Sequence, residues 1–272
     1  MLRYIRIGFI GGAPPGDKGG AAVPEWITSK ANSTVQHVRK LMASRKYRYE
    51  CRAFVADGTK LVEEALRWGL GVEALLLREG VDFPVPPGVR ELRMPEGLMK
   101  EISRMETPQG VLALCRMPEP EPLELRPGSL ILDGIQDPGN LGTILRAADA
   151  FEVPVVLSDG CADPYGEKTV RATMGAVFRR PPLQAAAEEI LAQCRDRRIP
   201  LCVTALSDRA EDIRRADLKG CVTVIGTEGQ GVSAPYLEAA QRTLIIPMSP
   251  RCESLNAAVA ATVLLWELRR EM

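Results

Sequence analysis

The first part of the chain has the apolar and polar spacing of a small α/β domain. Residues 59–68 predict an amphipathic helix that packs through Leu61, Ala65 and Trp68, because these side chains recur at helical spacing. A second helical pattern begins at Val35. Short apolar runs predict strands at residues 53–55, 74–77 and 110–114.

The second part of the chain alternates strand-like and helical patterns. Apolar runs at residues 130–132, 155–157, 201–203, 222–225 and 243–246 are separated by helical stretches. This alternation is typical of βαβ units and predicts a parallel α/β sheet. Such sheets bind ligands beyond the carboxyl ends of their strands. We therefore expect the chemistry to be carried by residues that directly follow these runs.

Breaks in the pattern divide the chain into four segments. Residues 11–24 are rich in glycine and proline and bury too little apolar surface to fold, so residues 1–25 are expected to form a flexible tail. Residues 118–128 are rich in proline and glutamate, which is typical of a stiff linker. The linker would separate a first domain, residues 26–117, from a second domain, residues 129–272.

The overall charge does not indicate a partner, but one segment of the chain is basic. The 272 residues contain 35 Lys plus Arg and 35 Asp plus Glu. Between residues 30 and 52, Glu50 is the one acidic residue among seven basic ones. This basic strip could face nucleic-acid phosphates, or it could be the solvated face of a helix. Its members are Lys30, Arg39, Lys40, Arg45, Lys46, Arg48 and Arg52.

Several kinds of site and location are disfavoured by the sequence. The seven cysteines include no pair at metal-ligand spacing, so we expect neither a metal site nor a disulfide framework. The longest apolar run, residues 257–266, is well short of the roughly 18 residues that a membrane-spanning helix needs. The apolar patch at residues 7–10 is too short for a secretion signal. We expect a cytoplasmic protein without a membrane partner.

The loop after residues 130–132 offers two candidate functional residues. It is rich in turn-forming residues and can deliver Asn140 to the start of a helix. Asn140 could equally be an ordinary N-cap, a role that asparagine favours. Arg146 lies one position past Leu145, off the stripe that should pack inward, so it points toward a rim. A surface salt bridge is the alternative role for Arg146.

Two further loops follow strand-like runs. Residues 226–231 contain three glycines, which would let the backbone approach a ligand closely. This loop lacks the glycine order of dinucleotide-binding loops and the lysine of a P-loop, which argues against nicotinamide or ATP binding. Glu228 is its one carboxylate. Residues 247–256 precede a long apolar helix, and Ser254 could be only a cap of that helix.

Taken together, these segments resemble the three ordered motifs of the SpoU/TrmH family of RNA methyltransferases. The sequence reads DPGNLG at residues 137–142, followed by Arg146, then GTEGQG at residues 226–231, and finally IPM at 246–248 with SLN at 254–256. Residues 164–181 are similar to a family segment between the first and second motifs. Residues 48–66 are similar to the RNA-binding domain of rRNA-directed members.

The resemblance implies a trefoil-knotted α/β methyltransferase domain at residues 129–272, working as a homodimer. It would transfer a methyl group from S-adenosylmethionine to a ribose 2′-hydroxyl of RNA, with 23S ribosomal RNA favoured as the substrate. The basic strip of the first domain would bind that RNA, together with Arg171 of the second domain. The implied catalytic residues are Asn140, Arg146, Glu228, Ser254 and Asn256. The implied cofactor-binding residues are Gly226, Thr227, Glu228, Gly229, Ile246, Met248 and Leu255, with Thr204, Ala205 and Leu206 beside the adenosine.

The resemblance gives Arg146 the role of catalytic base, but a guanidinium stays protonated in proteins. We therefore expect Arg146 to hold the target phosphate and stabilise the forming alkoxide. Asn140, Ser254 and Asn256 would orient the ribose, Arg146 and the cofactor. Glu228 could neutralise the cationic sulfonium or hold the amides of its loop.

Other functions are compatible with parts of the pattern. A tRNA 2′-O-methyltransferase or a base methyltransferase of the same superfamily would share the three motifs. A non-catalytic RNA-binding protein would keep the fold as a scaffold, although the intact polar residues of the motifs argue against it. A dehydrogenase would share the alternating strands, but the sequence lacks its glycine signature.

Overall fold

The structure is a computed structural model that describes residues 24–207, 210–227, 229–249, 251–252 and 254–270. In these residues the chain forms two α/β domains, one with a mixed five-stranded sheet and one with a parallel seven-stranded sheet. The expected α/β class, with a parallel sheet in the second domain, is therefore confirmed. The expected tail lies outside the described residues up to residue 23, and Glu25 already belongs to a strand.

The first domain places helices on both faces of its sheet. Strand order is β1-β4-β3-β5-β2, with β5 antiparallel to its two neighbours and the other pairs parallel. Its elements are β1 (Glu25–Trp26), α1 (Ser33–Ala43), α2 (Arg45–Cys51), β2 (Ala53–Asp57), α3 (Thr59–Arg67), β3 (Val72–Arg78), β4 (Arg90–Met94), α4 (Glu96–Ile102) and β5 (Val111–Arg116).

The side chains of the central strands of this domain point alternately into two separate hydrophobic cores. Val55 and Leu76 point toward α1 and α4, whereas Phe54 and Leu75 point toward α3. Successive side chains of a strand lie on opposite faces, so a sheet covered on both sides needs apolar residues at every position. All five residues of β2 are buried for this reason.

The prediction that Trp68 packs inward with α3 is wrong. The helix ends at Arg67, and Trp68 occupies the C-cap with φ −93° and ψ 11°. This turn of the backbone leaves the indole 53% exposed, whereas Leu61 and Ala65 are buried as expected.

The linker between the two domains is shorter than the proline-rich segment suggests. Leu123 and Leu125 are buried in a core of the second domain. The backbone N–H of Leu125 donates to the side-chain amide oxygen of Gln193 at 3.0 Å. The second half of the expected linker is therefore packed against the second domain.

The second domain is a parallel sheet with the order β10-β12-β9-β11-β6-β7-β8. The five strands predicted for it are confirmed to within one residue. Its elements are β6 (Leu130–Leu132), α5 (Pro138–Ala150), β7 (Val155–Leu157), α6 (Glu167–Thr173), α7 (Ala176–Arg179), β8 (Leu183–Gln184), α8 (Ala187–Asp196), β9 (Leu201–Thr204), β10 (Glu211–Asp212), β11 (Val222–Ile225), α9 (Ala234–Ala239), β12 (Arg242–Ile245) and α10 (Ala257–Arg269).

The two domains share one hydrophobic core. Phe54 of the first domain lies between Tyr165 and Phe178 of the second, with ring centroids 5.1 and 6.0 Å apart. Val170 and Val177 belong to the same cluster. The segment between the first and second motifs is therefore where the second domain docks onto the first.

Ion pairs lie beside this core. Arg48 and Asp163 form a pair at 2.6 Å, and the side chain of each is 8% exposed. Arg48 also donates to the backbone carbonyl of Leu41. The prediction that Arg48 contacts RNA is wrong, because its guanidinium is buried between the domains and paired there.

None of the described helices is long and apolar enough to cross a membrane. Nor do any three His, Cys, Asp or Glu side chains of the described residues converge as they would to hold a metal ion.

Candidate functional site

A cavity of about 380 Å³ opens at the carboxyl ends of neighbouring strands β12, β9 and β11. These strands are parallel, so the loops that follow them meet at one edge of the sheet. The cavity is lined by Thr204, Ala205, Leu206, Ile225, Gly226, Thr227, Gly229, Gln230, Gly231, Val232, Leu237, Leu244, Ile245, Ile246, Met248, Ser254, Leu255, Ala257 and Ala260.

Every residue expected to bind the cofactor lines this cavity, apart from Glu228, which lies outside the described residues. Sequence reasoning missed other parts of the wall. Leu237 of α9 is an example: it lines the cavity and is 45% exposed. The helix is only six residues long, which is too short for a periodic signal, so the sequence offered little to find it.

The glycine-rich loop after β11 is folded back on itself. The backbones of Thr227 and Gly231 exchange two hydrogen bonds of 3.0 Å, and the Thr227 hydroxyl accepts from the N–H of Gln230 at 3.0 Å. A Cβ placed on Gly226 would overlap the backbone of Gly231 and Val232. Only glycine can occupy position 226 while the loop keeps this shape.

The end of the loop is fixed from the neighbouring strand. The carboxylate of Asp133, which follows β6, accepts from the backbone N–H of Ser233 at 2.7 Å. Tyr236 is fully buried behind the loop, with its hydroxyl 2.6 Å from that of Ser158. Burial raises the pKa of Tyr236, so this phenol stays neutral and serves as a fixed support.

The first and third motifs meet through two asparagines. The Asn256 amide nitrogen donates to the Asn140 side-chain oxygen at 3.0 Å. Asp137 is the N-cap of α5, and its carboxylate accepts from the Asn140 N–H at 2.7 Å. The alternative role of Asn140 as an N-cap is therefore wrong, and its side chain is available to reach α10.

Asn256 is the N-cap of α10, where its side-chain oxygen accepts from the N–H of Ala258 at 3.0 Å. The cap of this helix is therefore Asn256 rather than Ser254, which lines the cavity.

Arg146 lies on the exposed side of α5 and is not among the residues that line the cavity. It makes no ion pair or hydrogen bond with the part of the chain that the structure describes, so the salt-bridge alternative finds no partner there. At 1.5 Å per residue, Arg146 is about 9 Å along the helix axis from Asn140. The residue is exposed, as expected, and its place at the rim of the site stays a prediction.

The basic strip is only partly open to a ligand. Lys30 and Arg39 both pair with Glu101, and Arg52 donates to the backbone carbonyl of Pro118. The exposed members of the strip are Lys30, Lys40, Arg45 and Lys46, all on or near α1 and α2. Arg171, on α6, is half-buried and pairs with Glu167.

Comparisons with known proteins agree with this arrangement of domains. A model of the SpoU rRNA methylase family matches residues 128–266, and a model of the MRM3-like substrate-binding domain matches residues 32–113.

Similar proteins include the 23S rRNA (guanosine(2553)-2′-O)-methyltransferase RlmP of Bacillus subtilis, 34% identical over 89% of this chain and 98% of its own length. The human mitochondrial rRNA methyltransferase 3 is 29% identical over 86% of this chain and 71% of its own length. A crystal structure of an AdoMet-bound rRNA methyltransferase from Sinorhizobium meliloti superposes with a TM-score of 0.80 and 32% identity, covering 91% of this chain and 98% of that one.

Proposed function

Because this chain belongs to the SpoU rRNA methylase family, we propose that it transfers a methyl group from S-adenosylmethionine to a ribose 2′-hydroxyl of 23S ribosomal RNA. The observation that carries the proposal is the cavity at the carboxyl ends of β9, β11 and β12, where residues of the second and third motifs meet. The first domain would hold the RNA, since it matches a substrate-binding domain.

The cavity suits S-adenosylmethionine in size and chemistry. Its volume of about 380 Å³ lies within the range of roughly 300–1,000 Å³ that is usual for small-molecule sites. The missing side chain at Gly226 lets the backbone of Gly231 pack against it and so shapes the wall of the cavity, with Leu206 and Leu237 as apolar walls for an adenosine. When bound, S-adenosylmethionine supplies a methyl group on a positively charged sulfur.

The residues of the chain then have separate tasks. Asn140 and Asn256, joined by their hydrogen bond, would hold α5 and α10 in register and orient the ribose together with Ser254. The Arg146 guanidinium would bind the target phosphate and stabilise the negative charge that develops on the 2′-oxygen as its proton passes to water. Glu228 would act on the sulfonium or on the loop amides.

Mass spectrometry of the reaction product tests this function. An unmodified 23S rRNA transcript would be incubated with the protein and S-adenosylmethionine that carries a deuterated methyl group, then digested to nucleosides. We expect the label in a 2′-O-methylnucleoside, and guanosine 2553 is the first position to map because of the bacterial relative. A label in a base, or in a transfer RNA offered in parallel but not in the transcript, would contradict the proposal.

The homodimer implied by the family has a candidate surface on α10. Val259 and Trp266 are 49% and 58% exposed, and Val263 lies between them at helical spacing, so the three form one apolar stripe. Trp266 also packs edge-on against Phe151 at the end of α5, at 6.1 Å. An apolar stripe beside the helix that carries Arg146 fits a second copy of this chain, because that contact would bring two sites close together.

Replacing Trp266 with glutamate should break this dimer. A charge in the middle of an apolar interface has to be desolvated without a partner, which costs several kcal/mol. Light scattering after size-exclusion chromatography should give the mass of two 29.7 kDa chains for the native protein and of one for the variant. Trp26→Glu is the matched control, since Trp26 is 56% exposed in the first domain and should leave the dimer intact. A Trp266→Glu variant that remained dimeric would exclude this surface.

Two further properties are proposed on the family's account. The loops around the cavity would be threaded into the trefoil knot, and work on ribosomal RNA would place the protein in the cytoplasm. Both remain predictions.

A further inference from the structure

One large aromatic side chain stands exposed where the two domains meet. Trp68 follows α3 of the first domain and is 53% exposed. Its ring lies 6.0 Å from the guanidinium carbon of Arg179, which belongs to α7 of the second domain. Arg67, the residue before it, has a side chain that is 71% exposed.

The cation next to Trp68 is rigidly held. Arg179 donates from Nε to the Asp149 carboxylate at 2.7 Å and from Nη1 to the Glu64 carboxylate at 2.5 Å. Glu64 lies on the same helix as the residues before Trp68, and Gly175 packs so closely on Glu64 that an added Cβ would lie 2.9 Å from its Cβ. The indole is therefore presented from a surface that cannot shift between the domains.

The same contacts connect Trp68 to the helix that carries Arg146. Asp149 lies three residues after Arg146 on α5, and residues at this spacing are neighbours on a helix surface. Trp68 therefore lies beside Arg179, and Arg179 pairs with Asp149, the neighbour of Arg146 on α5. An RNA strand whose phosphate is held by Arg146 would pass within reach of the indole.

We propose that Trp68 stacks on an unpaired base of the RNA substrate close to the target nucleotide and so positions the strand at Arg146; this inference rests on the proposed function. Unpaired bases stack on exposed aromatic rings, and neighbouring guanidinium groups strengthen such sites. Arg67 pairs with Glu64 at 3.4 Å, but its side chain is 71% exposed, so its guanidinium can exchange this contact for a phosphate beside the base. Trp68 acts as a positioning residue, because it would touch the RNA away from the reacting atoms.

Kinetics with an unmodified 23S rRNA transcript test this role. Loss of one base–aromatic stack weakens RNA binding by about tenfold, so Trp68→Ala should raise KM for the transcript by about that factor. The affinity for S-adenosylmethionine and the melting temperature should not change, since the indole lies outside the cavity and is half-exposed. Trp68→Phe, which keeps a stacking ring, should recover most of the loss. Trp26→Ala is the matched control, with an equally exposed indole at the far edge of the first sheet.

Fluorescence provides a readout that does not depend on catalysis. The chain has three tryptophans, so a Trp26→Phe, Trp266→Phe variant leaves Trp68 as the one indole. Stacking on a base should quench its emission when the transcript is added, and the quenching should weaken as salt is raised.

Three outcomes would overturn the inference. Wild-type KM in Trp68→Ala, unquenched emission on addition of RNA, or a Trp68→Ala variant that changes oligomeric state would assign the indole to another role, the last to a contact between protein chains. In the first two cases the native protein would still methylate the transcript. A failure of the proposed function would instead appear as no methyl transfer by the native protein.

Discussion

Arg146→Ala is expected to lower kcat on ribosomal RNA by two to three orders of magnitude. Removing one preorganised donor from a developing oxyanion costs roughly this factor in other enzymes. The exposed guanidinium has no partner among the described residues to occupy it, and it does not line the cavity. The affinity for S-adenosylmethionine, measured by calorimetry, should therefore stay at the native value while turnover falls.

Two further variants sharpen this test. Arg146→Lys keeps the charge but loses the two-pronged donor geometry, so it should recover only a small part of the activity. Near-native turnover in the lysine variant would contradict the proposed role. Arg126→Ala serves as the control, because the Arg126 side chain is 72% exposed and pairs only with Glu124 of its own segment among the described residues.

Gly226→Ala should greatly weaken the binding of S-adenosylmethionine. The new methyl group would overlap the backbone of Gly231, and a backbone carbonyl cannot turn aside as a flexible side chain would. The loop would have to open, which would break the paired hydrogen bonds between Thr227 and Gly231. We expect the dissociation constant measured by calorimetry to rise by about a hundredfold or more, which corresponds to nearly 3 kcal/mol.

A second glycine of the same loop gives the comparison. An added Cβ at Gly229 meets no atom within 4 Å, so Gly229→Ala should reduce affinity far less than Gly226→Ala. Circular dichroism should show both variants folded, because the strand before the loop keeps its buried residues. Equal losses in the two variants would mean that any change in the loop disturbs binding and that the overlap at position 226 has no special effect.

The parts of the fold that the sequence predicted are those with continuous apolar runs. Strands β6, β7 and β11 are buried on both faces, so each appears in the sequence as a short, nearly continuous apolar run. Strand β4 was missed because it has only two apolar residues, Leu92 and Met94, which are too few to establish an alternating pattern. The sequence could not show that Arg48 would be buried, since its partner Asp163 is 115 residues away in the other domain.

The candidate site was predictable to a similar degree. The loops after β11 and β12 were identified because glycines and polar residues follow apolar runs, whereas the residues after β9 were implied only by the family resemblance. The structure brings all three loops to one cavity. The hydrogen bond between Asn140 and Asn256 joins residues 116 positions apart and has no local signal. Nor could the sequence show that Asp137 caps α5 in place of Asn140, because both residue types are good caps.

The shared core of Phe54, Tyr165 and Phe178 fixes the distance between the two domains. Two domains joined by a flexible linker could sample many distances between the RNA-binding surface and the methyl donor. Here the interlocked rings and the buried Arg48–Asp163 pair hold that separation constant. The enzyme would then select its target nucleotide partly by the distance between that nucleotide and the RNA features that the first domain binds. A graft of another RNA-binding domain would therefore have to reproduce the interface between the domains as well as the RNA-binding surface.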